Sequence, residues 1–246
     1  PYNAGMAAAN AIEVCELVTH GMTSVHGALD GEFGFGATHF GAQKDPHQVV
    51  SDLGSVYKMC DVRYKFHACC HGTHAALEAF SKVRPKDLPR ARVTVFVHPK
   101  WLDVCNIDAP QTGLQAKFSY KHVLALMALG YDTGQLDSFT DAICEAPEIA
   151  TFRNQISVVA APELTDSQAR VEVDVDGARQ QAFFDLHSPT DLDALRIRVE
   201  EKFKKLVPPQ DVKALIDLSY PLARLATLDP IAERISAAKN KAFQSL

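Results

Sequence analysis

Near the start of the chain, apolar side chains recur at three- to four-residue spacing, at Ala8, Ile12, Cys15 and Val18. This spacing predicts a helix over residues 5–20 that ends at Gly21. A glycine-rich stretch follows, without an apolar strand before it or a GKS or GKT sequence after it. The pattern therefore does not favour a phosphate loop, and we expect a loop that packs Phe33 and Phe35 against a core.

The middle of the chain mixes helical and alternating patterns. A strand over 62–66 leads into a helix from Gly72-Thr73 to Val83, with Thr73 as the N-cap residue. Alternating valines predict further strands, and Asp176-Gly177 predicts the turn of a β-hairpin. The remaining predicted elements of this part are a strand over 91–98, a helix over 115–129, and strands over 156–160 and around 171–175.

The end of the chain has helical periodicity again. One apolar stripe predicts a helix that Pro208-Pro209 ends, and it consists of Leu192, Leu195, Val199, Phe203 and Leu206. Further helices are predicted over 212–225 and 230–242. Strands grouped between helical ends indicate an α+β domain inserted into a helical one.

Composition narrows the class of protein. The 246 residues include 25 Lys and Arg against 30 Asp and Glu, a net charge of −5 without basic runs, which disfavours a nucleic-acid partner. No stretch of about 18 apolar residues predicts a membrane span. Six cysteines without a CxxC pair are typical of reduced thiols in a cytoplasmic or organellar protein. Because the sequence starts at Pro1 and close to a helix, we expect that an N-terminal portion is missing.

The residues VRYKFHACCHGTH, at 62–74, concentrate one lysine, three histidines and two cysteines. Zinc is one interpretation, but adjacent cysteines rarely share one tetrahedral ion, and no second ligand pair is evident. A cysteine nucleophile with a histidine base is another. A partly buried turn without chemistry is the plain alternative for any single residue here.

Acid–base chemistry on a carboxylate-rich substrate is the remaining interpretation. Lys65 offers a compact positive charge, and the helix that starts after Thr73 offers backbone N–H groups that attract anions. Histidine passes protons near neutral pH. Removing a proton next to a carboxylate creates an enolate-like dianion, which nearby cations must stabilise.

Several segments resemble the MmgE/PrpD family. KFHACCHGTHAALEAF is similar to its signature K-x-(F/Y)-x-(A/C)-C-x-x-T-H-x-A-(L/I)-(D/E)-A. Further segments of the family are matched in the same order, by PYNAGMAAANAIEVCELVTHGMTSVHGALDGEFGF before the signature and by LQAKFSYKHVLALMALG, FRNQISVVAAPEL, VDVDGARQ and VEEKFKKLV after it. The family includes 2-methylcitrate dehydratases, cis-aconitate decarboxylases and iminodisuccinate epimerases.

The resemblance implies an α+β architecture: a partial all-helical domain, whose N-terminal part is missing, with an inserted α+β lid domain. It assigns residues 1–60 and 188–246 to the helical domain and 61–187 to the lid. It also implies an enzyme that needs no metal or organic cofactor, a homodimer, and a small di- or tricarboxylic acid as substrate. A cytoplasmic location is expected, or a mitochondrial one in a eukaryote.

The resemblance also assigns roles to residues. Lys65 matches the lysine expected to bind a substrate carboxylate, and His71, with His67 as the second choice, is the expected proton carrier. In the decarboxylases a histidine stands five positions after that lysine, where this chain has Cys70, so dehydration is favoured over decarboxylation. Cys70, Thr73 and His74 are expected to line the substrate.

Lys117 matches the lysine of the family's A-K-F-S helix, and we expect a structural role for it. The predicted reaction is proton abstraction next to a carboxylate with loss of water, as in a hydro-lyase. Epimerisation of an iminodisuccinate-type substrate uses the same abstraction and stays an alternative. So does a non-catalytic fragment or subunit that needs the missing N-terminal portion or a partner chain.

Overall fold

The structure is a computed structural model that describes residues 2–40, 50–58 and 62–219. The chain divides into two compact units, residues 1–62 and 63–246. The predicted helix over 230–242 lies outside the described residues, as does the end of the helix predicted over 212–225. The predicted domain boundary at 187/188 stays a prediction.

The first unit contains helices α1 (Tyr2–Thr19) and α2 (Phe35–Phe40). The helix predicted over 5–20 is confirmed. Phe33 and Phe35 are 87% and 51% exposed, so the prediction that they pack against a core is wrong. The loop is instead shaped by close backbone approach, because a Cβ on Gly31 would lie 2.6 Å from the Gly27 carbonyl oxygen.

The second unit has an α+β fold, as predicted. Its elements are α3 (His74–Val83), β1 (Ala91–Val97), α4 (Leu102–Cys105), α5 (Gly113–Ala116), α6 (Tyr120–Ala128), α7 (Asp141–Glu145), α8 (Pro147–Arg153), β2 (Ile156–Ala160), β3 (Gln168–Val175), β4 (Ala178–Asp185), α9 (Leu192–Leu206) and α10 (Pro209–Ser219).

The four strands form one sheet in the order β2-β1-β3-β4. β1 pairs with β2 in parallel and with β3 antiparallel, and β3 and β4 form a hairpin. Asp176 and Gly177 both have positive φ at the predicted turn, at 52° and 87°. Every second residue of β1 is buried, as are Ala169, Val171 and Val173 of β3, in agreement with the predicted alternation, whereas Val175 is only partly buried.

Helix α3 packs on β3 and β4, α6 packs on α3 and β2, and α8 packs on α6. The largest side chains of this core include Leu77 and Phe80 of α3, Tyr120 and Leu124 of α6, and Ile149 of α8. Because α3 packs on β3 and β4, the turn that precedes it is fixed relative to the sheet.

Two predicted elements differ from the structure. Residues 62–66 are not a strand, and the described sheet consists of β1 to β4 alone. The helix predicted over 115–129 is interrupted: α5 ends at Ala116 and α6 begins at Tyr120. Ser119 caps α6, since its hydroxyl accepts a hydrogen bond from the backbone N–H of His122.

Helix α9 agrees with the prediction over 192–206, and Asp191 caps it by accepting from the Ala194 N–H at 2.9 Å. The stripe is only partly buried, because Leu192 is 79% exposed and Leu206 is 49% exposed. None of the helices in the described ranges is both long and apolar enough to cross a membrane.

Candidate functional site

The turn at the start of α3 is held by hydrogen bonds from distant segments. A short 3₁₀ turn covers His71–Thr73. The backbone N–H of Cys70 donates to the Lys117 carbonyl at 2.9 Å, and the Tyr120 hydroxyl donates to the Gly72 carbonyl at 2.7 Å. The interruption between α5 and α6 therefore places two anchors under the predicted reactive cluster.

Gly72 is required by its neighbour Trp101. A Cβ at position 72 would lie 2.5 Å from Cε3 of the Trp101 ring, so only glycine lets the indole lie directly against the turn. The indole Nε1 donates to the Asp166 carbonyl at 2.8 Å. Trp101 thus joins the turn to the loop that precedes β3.

Thr73 does not have the predicted capping role. Its side chain makes no capping hydrogen bond and is fully buried. The hydroxyl instead donates back to the Cys70 carbonyl at 2.8 Å and lies 3.1 Å from the Cys69 sulfur. A role for Thr73 in lining the substrate stays a prediction.

Three imidazole rings form a row. The centroid of His74 lies 5.0 Å from that of His67 and 5.0 Å from that of His71, in edge-to-face arrangement. The Nε2 atom of each ring is buried and makes no hydrogen bond with the described residues. We call these three residues the histidine row.

The middle ring of the row is more deeply buried than the two rings at its ends. His74 is 1% exposed. Its pKa is lowered to about 2, mainly by burial and to a smaller extent by the neighbouring His67 and His71. His71 is half-buried, and its pKa is lowered below 6.5, mainly by burial and to a smaller extent by the charge of Lys65. Both rings are therefore neutral at pH 7, and the half-buried His71 can accept a proton.

The other end of the row meets a buried carboxylate. His67 Nδ1 lies 2.7 Å from the Thr133 hydroxyl, and its Nε2 lies 3.4 Å from Glu78 Oε1, where the two atoms are in contact but not aligned for a hydrogen bond. Arg198 of α9 donates to the same Glu78 oxygen. Burial opposes ionisation of Glu78, but the contacts with His67 and Arg198 outweigh it and lower its pKa to about 2.

Lys65 is exposed and makes no ion pair or hydrogen bond within the described part of the chain. Its positive charge contributes to the lowered pKa values of both His71 and His74. The structure thus brings Lys65 close enough to His71 for their charges to interact. It leaves the ammonium group accessible to a ligand.

Two buried cysteines in and beside the cluster, Cys69 and Cys105, have packing roles and protonated thiols. Burial raises the pKa of the Cys69 thiol to about 12 and raises the pKa of Cys105 above the usual range. A thiol with a raised pKa is protonated at pH 7 and is a poor nucleophile. Cys70 is half-buried and stays a candidate for lining the substrate.

Lys117 contributes through its backbone and its packing. Its carbonyl accepts the Cys70 N–H described above, and its Nζ lies 5.7 Å from the centroid of the Phe139 ring. Both contacts are consistent with the structural role expected for this residue.

A cavity of about 300 Å³ lies beside His67. Its lining combines cations and acids, among them Arg198, Lys202, Lys205 and Asp132. These charges pair with each other or with backbone: Lys205 Nζ lies 2.8 Å from Asp132 Oδ2, and Lys202 donates to the Gly134 carbonyl at 2.5 Å. Within the described ranges, no group of three or more His, Cys, Asp or Glu side chains could hold a metal ion.

The site contains residues that the sequence patterns did not indicate. Glu78 stands four positions after His74, a helical spacing that could have indicated it. Arg198 is 120 residues away from Glu78 in the sequence, and Trp101 is remote from Gly72. No short sequence pattern could therefore have predicted either contact.

The model of the MmgE/PrpD C-terminal domain matches residues 67–216. The match covers 150 of the 246 residues and includes the histidine row, Trp101 and the Glu78–Arg198 pair. Comparison with curated protein sequences returns no match. The signature around Lys65, the α+β fold of the second unit and this match agree, and the chain belongs to the MmgE/PrpD family.

Proposed function

We propose that the chain is part of an enzyme that removes a proton next to a carboxylate of a di- or tricarboxylic acid. Loss of water is the proposed outcome, as in a 2-methylcitrate dehydratase. The observation that carries the proposal is an accessible lysine whose charge acts on a neutral imidazole, Lys65 on His71.

Each member of the pair has a defined task. The ammonium group of Lys65 binds the carboxylate next to the reacting carbon and stabilises the charge that develops there. His71 is the base, because a histidine with a lowered pKa is unprotonated at neutral pH. His67 is the second choice as base, although its contacts with Thr133 and Glu78 favour a supporting role.

His74 acts within this proposal as a spacer that keeps the row neutral. Its ring separates His71 from His67 and is too deeply buried to become charged at neutral pH. Direct contact of His74 or Thr73 with a substrate would require movement of the turn, whereas Cys70 is half-exposed beside it.

A substrate panel tests the reaction. The full-length protein is incubated with 2-methylcitrate, citrate, cis-aconitate and iminodisuccinate in deuterated water, and products are followed by ultraviolet absorbance and proton NMR. Formation of an alkene from 2-methylcitrate or citrate supports dehydration. Deuterium exchange without net product supports epimerisation, and loss of carbon dioxide from cis-aconitate supports decarboxylation. Absence of both exchange and product with every acid would contradict the proposal.

Substitution of the lysine tests the site. Lys65→Ala is expected to lower kcat/KM by roughly 100-fold or more, the loss typical of a group that stabilises developing charge, without changing the melting temperature, because Lys65 is exposed. Lys65→Arg keeps the charge and is expected to retain part of the activity. Lys86→Ala, another exposed lysine of the second unit, is the matched control. If Lys65→Ala and Lys86→Ala have equal activity, Lys65 does not bind the substrate.

A further inference from the structure

The loop after β4 holds a histidine in a fixed position. The carboxylate of Asp185 accepts hydrogen bonds from the Ser167 hydroxyl at 2.7 Å, the Gln168 amide at 2.9 Å and the His187 backbone N–H at 2.9 Å. The exposed imidazole of His187 makes no hydrogen bond within the described part of the chain. The backbone of His187 is therefore fixed, while its side chain is available to a ligand.

A continuous set of contacts links this loop to the turn at the start of α3. Trp101 lies against Gly72 and donates to the Asp166 carbonyl. The next residue, Ser167, accepts the Leu186 N–H through its carbonyl at 3.0 Å. His187 follows directly, so that Trp101 and the loop before β3 connect it to the turn that carries His71.

The charges around His71 are all of one sign. Besides burial, the groups that lower its pKa are Lys65, His187 and Arg63, and none of the groups that act on it is acidic. The charge of His187 also contributes to a lowered pKa of Asp166, whose Oδ2 forms an ion pair with Lys100 Nζ at 2.9 Å. In a chain with a net charge of −5, this is a local site that favours an anion.

We propose that His187 is a substrate-binding residue that donates a hydrogen bond to a second carboxylate of the substrate. This inference rests on the proposed function, in which Lys65 binds the carboxylate next to the reacting C–H bond. A di- or tricarboxylate has a further carboxylate that needs its own partner, and an imidazole N–H donates in either protonation state. His187 thereby selects substrates with more than one carboxylate over monocarboxylates.

Calorimetric titration with tricarballylate, a tricarboxylate without a hydroxyl to eliminate, tests this assignment separately from catalysis. His187→Gln is expected to weaken binding roughly tenfold, about 1.4 kcal/mol, and His187→Lys to keep most of the affinity. Arg179→Gln, which removes a cation from the other end of β4, is the matched control and is expected to bind as the unchanged protein does. Equal melting temperatures show that the variants fold.

Two outcomes overturn the assignment in distinguishable ways. If Lys65→Ala abolishes tricarballylate binding but His187→Gln binds as tightly as the unchanged protein, His187 is not part of the site and the proposed function is unaffected. If the unchanged protein does not bind tricarballylate, or Lys65→Ala binds it equally well, the proposed function fails and the role of His187 fails with it.

Discussion

The histidine row shows how burial decides the chemistry of a residue type. Three imidazoles lie in contact, yet their surroundings differ from a half-buried position at His71 to a fully buried one at His74. Moving a charged imidazole into a low-dielectric interior is unfavourable, so the pKa falls with burial. At the His71 end of the row, partial burial and the charge of Lys65 lower the pKa and leave a neutral imidazole.

The lowered pKa of His74 predicts a pH-dependent stability. Below pH 6.5 the unfolded chain binds a proton at this residue, whereas the folded chain does not until pH approaches about 2. The contribution of His74 to the free energy of unfolding is therefore fully present above pH 6.5. Below pH 6.5 the free energy of unfolding falls by about 1.4 kcal/mol per pH unit because of this one proton. Burial and the charge of Arg153 lower the pKa of His122 to about 4. Between pH 6.5 and about 4, protonation of His122 in the unfolded chain therefore adds a second, equal contribution to the slope.

Urea unfolding at pH 7, 6 and 5 measures this slope. His74→Gln is expected to lower the overall stability but to remove one proton's share of the slope, and His122→Gln to remove a second share. The double variant should keep only the smaller slope to which His71 contributes, because burial lowers the pKa of that imidazole as well. A slope that His74→Gln leaves unchanged would show that this imidazole is charged in the folded protein.

At the residue scale, the sequence indicated the cluster but not the tasks of its members. The density of Lys, His and Cys over 62–74 is visible in the sequence, and so is the match of Lys65 to the family signature. Burial of His74 and Thr73 is not visible, because the anchors are Lys117 and Tyr120 in a different segment.

At the element scale, predictions held where a pattern had a single structural solution. Alternating valines gave β1 and β3, and an apolar stripe that ends before Pro208-Pro209 gave α9. Residues 62–66 also alternate, but the described sheet consists of β1 to β4 and does not include them. The helix predicted over 115–129 ignored Ser119, which caps a new helix rather than continuing the old one.

The contact between α3 and α9 predicts the effect of one substitution. Arg198 binds Glu78, whose side chain is only 16% exposed, and its guanidinium lies 3.9 Å from the centroid of the Phe66 ring. Arg198→Met leaves the buried carboxylate with His67 as its main partner. We expect a loss of about 1–3 kcal/mol, less than for a fully buried pair because the Arg198 side chain is 39% exposed.

Arg196→Met is the matched control for this substitution. Arg196 lies on the same helix and contacts Asp193, whose side chain is 86% exposed, so its loss is expected to cost less than about 0.5 kcal/mol. Urea unfolding at pH 7 compares the two variants. Equal stabilities would mean that the pair does not hold α9 against α3.

At the scale of the whole molecule, the hydrophobic core belongs to the second unit. Every buried apolar side chain found in the described ranges lies between Cys69 and Leu215. Helix α1 has no buried residue, although it carries apolar side chains such as Ile12 and Val18. The region matched by the family model, 67–216, falls inside the same unit and contains the whole of this core.

This distribution predicts that residues 63–246 fold without residues 1–62. The sheet, the helices that cover it and the histidine row all lie within that segment, and a domain with its own core folds as a unit. The fragment is expected to unfold in urea in one cooperative transition, with a free energy of unfolding within about 1 kcal/mol of the corresponding transition in the whole chain.

The fragment 1–62 is expected to show little cooperative structure, since an isolated helix without a buried face is marginal in water. Circular dichroism and urea titration of both fragments measure this. A fragment 63–246 that unfolds without cooperativity would mean that the core needs the first unit, and the site around Lys65 and His71 would then depend on residues outside its own fold.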